Sequence, residues 1–83
     1  MMQSKKQISE FDIAVAKRFK ELRLEKNLSL QAVADAIGVS KNQVFRWENC
    51  ENRMYVHHFA KYCEVLNIGI SEFTNSIDYE ESK

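Results

Sequence analysis

Apolar residues recur along this chain at spacings of three and four, the repeat of α-helices that each bury one face. Phe11, Val15, Phe19 and Leu22 carry the pattern first and predict a helix that starts near Ser9 to Asp12 and runs to about Lys26. Asn27-Leu28-Ser29 interrupts it, and Ser29 suits the N-cap of a second helix, Leu30 to Ile37, with Val33, Ala34 and Ile37 inside. Gly38 ends that helix, because the residue just past a helix commonly needs a left-handed backbone. Ser40 then caps a third helix from Lys41 to about Asn49, whose inner face is Val44 and Trp47. The polar residues from Asn49 to Met54 read as a loop. A fourth helix, roughly Tyr55 to Leu66, places Val56, Phe59, Ala60, Cys63 and Leu66 on one stripe. A short fifth from about Ile70 turns Ile70, Phe73 and Ile77 inward.

The expected fold is therefore all-α, a compact arrangement of five helices in one domain. Residues 1–10 are expected to form a flexible N-terminal segment, 11–77 the folded domain, and 78–83 an acidic C-terminal tail. Composition agrees. The chain has no proline and two glycines, which favours helices with short connections. Its 83 residues bound it to one domain, and 45 % hydrophobic against 29 % charged residues excludes a disordered polymer.

Several function classes drop out. The longest unbroken apolar run is Ile13 to Ala16, too short for a signal peptide or a membrane span, so a soluble cytoplasmic protein without a membrane partner is expected. Cys50 and Cys63 fit a reducing compartment, and their offset matches no zinc spacing, so no metal is expected. His57 and His58 lie beside no nucleophile or paired acids, and no glycine-rich phosphate loop is present. Neither an enzyme nor a cofactor is expected.

Net charge is zero, which at first counts against a nucleic-acid partner, but the charges are unevenly placed. Residues 1–48 carry nine Lys and Arg against six Asp and Glu, while residues 49–83 carry three against six. A local basic face remains available in the half that holds the second and third helices.

The stretch from Leu30 to Trp47, with small Ala34, Gly38 in the turn and apolar Val33, Ile37, Val39, Val44 and Trp47, resembles the helix-turn-helix of the lambda-repressor-like (Cro/cI, XRE) family. The likeness extends to Phe19–Arg23, Leu28-Ser29, Val65–Ile68 and Ser71–Phe73, and so to about Val15 to Ile77. It places the motif at residues 30–48. It implies a sequence-specific regulator of transcription, a repressor of phage, mobile-element or controller type, that binds a palindromic operator in double-stranded DNA as a homodimer.

Residue by residue, the resemblance makes the third helix the recognition helix, with Lys41, Asn42, Gln43 and Arg46 at base edges. Ser29, Gln31, Ser40, Asn52 and Arg53 would contact phosphates. Arg23 and Glu48 would form a partly buried ion pair between the first and third helices. Tyr55, Tyr62, Phe73, Ile77 and Tyr79 would serve dimerisation through the C-terminal helices. Leu30 departs from the family, many of whose members carry a phosphate-clamping glutamine there, and Cys50 stands where glycine is usual. Phe45 lies between the outward and inward sides of the third helix. Leu30, Phe45 and the zero net charge leave a second class open, a protein-interaction module such as an antitoxin or anti-repressor partner.

Overall fold

The computed structural model describes residues 9–77. Among them five helices occur and no strand: α1 (Glu10–Glu25), α2 (Leu30–Ile37), α3 (Lys41–Glu48), α4 (Val56–Val65) and α5 (Ile70–Asn75). The expected N-terminal segment, apart from Ser9 and Glu10, and the acidic tail with Tyr79 lie outside the described residues.

Each helix start follows from local chemistry. Ser9 accepts from the Asp12 amide at 3.1 Å while the Asp12 carboxylate accepts from the Ser9 amide at 3.2 Å, a reciprocal box that opens α1. Ser29 and Ser40 cap α2 and α3 in the same way, accepting from the amides of Ala32 and Gln43. The ends share one device as well. Asn27, Cys50 and Asn67 each take a left-handed backbone just past α1, α3 and α4. The following amide then donates back into the last turn: Leu28 to Arg23, Glu51 to Arg46, and Ile68 to Cys63, at 2.8–3.0 Å. Gly38 does the same work after α2, with φ at 92°.

Phe19 of α1 is the centre of the core. Its ring stacks on Tyr62 at 4.3 Å and on Phe73 at 4.2 Å, and Phe59 meets it edge-on at 5.4 Å. Val33, Ala34 and Ile37 of α2 and Val44 and Trp47 of α3 close the other side, with Cys63 of α4 and Leu66 at its C-cap beneath them.

Some expected placements are corrected. Val56 and Ile70 were expected inside but are 83 % and 48 % exposed, and Phe11 is also on the surface. The inward stripe of α4 is Phe59, Tyr62, Cys63 and Leu66, which leaves Val56 beyond its edge. Tyr62 and Phe73 cannot serve dimerisation as they stand. Both are fully buried, because the stack on Phe19 consumes their faces. Tyr55 is exposed, and Ile77 is half-buried against the core.

A buried polar network ties α1 to α3 across this core. The Arg23 guanidinium donates from Nε to Glu48 Oε2 at 2.7 Å and from Nη2 to Oε1 at 3.0 Å. Its Nη1 donates to the Leu28 carbonyl at 2.8 Å. The Tyr62 hydroxyl donates to Glu48 Oε2 from α4. The two charged side chains are almost completely withdrawn from water, yet among the described residues no buried side-chain polar atom lacks a partner.

Two outcomes follow from this network. Removing one partner strands the other charge without water, so Glu48→Ala is expected to lower the unfolding free energy by about 3–5 kcal/mol, read by urea denaturation. Burial pushes the Tyr62 phenol well above its ordinary range, the bond to Glu48 adds to the rise, and Arg23 opposes it. A group whose pKa is higher folded than unfolded stabilises fully below its unfolded value. That share is lost as the pH climbs past about 10. Alkaline melting should therefore destabilise the wild type more steeply than Tyr62→Phe.

Candidate nucleic-acid interface

Helix α3 is amphipathic, and its two faces have opposite fates. Val44 and Trp47 lock one face into the core, and Glu48 anchors its last turn to Arg23. Lys41, Asn42, Phe45 and Arg46 project from the other and are exposed. The side chains of Lys41, Asn42 and Arg46 make no hydrogen bond or ion pair with any described residue. Two cations and an amide thus stand on a rigid helix with their donors uncommitted. Phe45, 49 % exposed, lies among them.

Gln43 is half-buried and turns toward the flank of α3. It lines a cleft of about 490 Å³ together with Ser40, Asn52 and Arg53. Four residues expected to contact DNA therefore meet in one place, drawn from the α2–α3 turn, α3 and the loop between α3 and α4. Tyr55 and His58 line the same cleft. Sequence reasoning gave Tyr55 to dimerisation and His58 to nothing, and no residue spacing marks them as cleft residues, since the fold brings α4 there.

Ser29 and Gln31 do not line this cleft; they are exposed at the start of α2. The first-turn amides of a helix lack intrahelical acceptors, which suits that end to an anion. Ser29 already uses its hydroxyl oxygen as the cap, and the Gln31 amide donates to the Asp35 carboxylate at 2.9 Å. Leu30, where a polar clamp would be usual, instead packs against the core.

Arg53 is placed by α1. Its guanidinium lies 3.4 Å from Asp12 Oδ2, and both groups retain solvent exposure, so the pair orients Arg53 more than it stabilises the fold. The left-handed Cys50 sets the direction in which the loop leaves α3, while Asn49 keeps an ordinary backbone and donates its side-chain amide to the Phe45 carbonyl at 2.8 Å. Burial pushes the Cys50 thiol up, the Asp12 carboxylate adds to the rise and Arg53 opposes it, which makes it a poor nucleophile. Cys63 is a free thiol too, buried and pushed up by that burial. Among the described residues no group of His, Cys, Asp and Glu is arranged to hold a metal ion, and no helix is long and apolar enough to cross a membrane.

Comparison with known proteins bears on this geometry. Residues 19–73 match a family model described as Helix-turn-helix. An uncharacterized HTH-type transcriptional regulator of Rickettsia conorii is 31 % identical over 71 residues, a stretch covering 86 % of this chain and 57 % of that protein. The chain thus spans little more than half the length of that relative.

Proposed function

Because the chain belongs to the helix-turn-helix family, in its lambda-repressor-like (XRE) form, we propose that it is a DNA-binding regulator of transcription that lays α3 in the major groove. The observation that carries this reading is the outward face of α3, where Lys41, Asn42 and Arg46 are exposed and bond to no described residue while the opposite face is fixed in the core. Lysine and arginine donate to guanine O6 and N7, and asparagine pairs with adenine N6 and N7. Phe45 on the same face offers an apolar contact for a thymine methyl. Gln43 reads a base from the flank. Ser29 and Gln31 at the start of α2, and Ser40, Asn52 and Arg53 around the cleft, hold the sugar-phosphate backbone and set the register.

One recognition helix reads only a few base pairs. We propose a homodimer on a palindromic operator, with half-sites about one helical turn apart, acting as a repressor by occupying that site. With Tyr62 and Phe73 buried, Ile70 and Ile77 are, among the described residues, apolar side chains at the C-terminal end that could serve a twofold contact.

Selection from random duplexes with the purified full chain tests the reading. The expected result is one enriched palindrome, with affinity falling on a log–log salt plot by about 0.9 per phosphate neutralised. Arg46→Ala is expected to relax preference at one base pair per half-site by about 1–3 kcal/mol while leaving the melting temperature unchanged. No enriched sequence together with a flat salt dependence overturns the proposal.

A further inference from the structure

The cleft beside α3 has a chemistry that base reading does not use. Its polar lining consists of Ser40, Gln43, Asn52, Arg53, Tyr55 and His58, all hydrogen-bond donors in at least one form, and no carboxylate is among them. Tyr55, 71 % exposed, stands at the start of α4, whose first turn has no side-chain cap to occupy its amides. The cleft lies directly against the flank of the helix proposed to enter the groove.

His58 is the titratable centre of this wall. Its imidazole lies 5.1 Å from the Trp47 ring, 4.1 Å from His57 and 5.8 Å from Tyr55, measured between ring centroids. Among the described residues the charges that act on it directly are cationic, while the Asp12 carboxylate of α1 pairs with the cleft's Arg53 at 3.4 Å. Lys61 and His57 act on it from α4, and Arg53 shares the cleft from the loop. α3 contributes Gln43 and Trp47, and the α2–α3 turn contributes Val39 and Ser40, none of which titrates near neutrality. α2 also packs on α4, but its one carboxylate, Asp35, is engaged by Gln31 and does not line the cleft. Partial burial holds the imidazole below its ordinary range, and the charges of His57 and Lys61 add to the effect.

We propose that this cleft receives a backbone phosphate of the bound duplex, with Tyr55 and His58 as contacts, and that His58 takes up one proton from solvent as it does so. Affinity for DNA then rises as the pH falls through the histidine range. The inference rests on the DNA-binding reading of α3 and adds to it a proton-linked contact. It also moves Tyr55 from a dimer surface to the DNA backbone. The phosphate places negative charge beside His58, so the imidazolium disfavoured in the free state becomes the favoured form in the complex.

The test measures dissociation constants for the selected duplex from pH 5.5 to 8.5 at fixed ionic strength. Wild-type affinity is expected to fall about tenfold over that range, the effect of a pKa raised by about one unit on binding. His58→Gln is expected to flatten the profile across that range. Its salt slope at pH 5.5 should be shallower than that of the wild type by about 0.9. Tyr55→Phe should weaken binding about threefold at every pH without changing the slope. Calorimetry of the wild type in two buffers of different ionisation enthalpy counts the protons taken up directly and needs no variant to fold. Binding that is strong but flat in pH, or zero proton uptake, overturns this inference and leaves the DNA-binding reading standing. A His58→Gln profile as steep as the wild type also overturns it. Absence of binding at every pH overturns both.

Discussion

Everything the outer face of α3 can do depends on how its last turn is held. Glu48 is a carboxylate withdrawn from water and saturated by three donors from two other helices, two on Arg23 and one on Tyr62. Arg23 in turn satisfies the Leu28 carbonyl in the α1–α2 connection. Two charges buried this way gain little over a well-packed apolar contact, because desolvation offsets most of their attraction. What they do supply is direction. A bidentate guanidinium–carboxylate contact accepts one relative orientation of its partners, whereas apolar side chains slide. Rotation of α3 about its own axis would break the fork, so the azimuth at which Lys41, Asn42 and Arg46 face outward is set from inside the core.

The other constraint is how helices of eight residues are stopped and turned. A short helix gains little from propagation, so its ends matter more than its middle. Here serine oxygens begin α1, α2 and α3, and left-handed residues end α1 to α4. Glycine and asparagine adopt that backbone readily; cysteine does so at the steric cost of its Cβ. Cys50 nevertheless takes it, because the Glu51 amide must return to the Arg46 carbonyl for the loop to carry Asn52 and Arg53 to the cleft. The loop's course therefore shapes the proposed interface and is not merely a connection.

Much of this was legible in the chain. Apolar spacing together with Ser29, Gly38 and Ser40 places α2, α3 and the turn between them, because those signals are local. Arg23 and Glu48 stand 25 positions apart, and spacing alone does not pair them; the family resemblance pointed to them. Tyr62 was misplaced because a tyrosine off the apparent stripe of α4 reads as a surface residue. Its hydroxyl is hidden only because Glu48 waits inside to accept from it. Val56 and Ile70 erred in the other direction, since helical periodicity cannot say where the core stops beneath the first turn of a helix. The cleft with Tyr55 and His58 was not legible at all, because it is assembled from four separate segments of chain.

In the proposed function a core-anchored α3 presents Lys41 to Arg46 to DNA. Amide shift mapping of the labelled protein against its selected duplex tests it most directly. The largest shifts are expected along Lys41 to Arg46 and at Ser29, Asn52 and Arg53, with the side-chain signals of Arg23 and Tyr62 almost unmoved. Shifts concentrated on the far side of α4 and on α5, around Lys61, Glu64 and Ile70, with α3 silent, would contradict it.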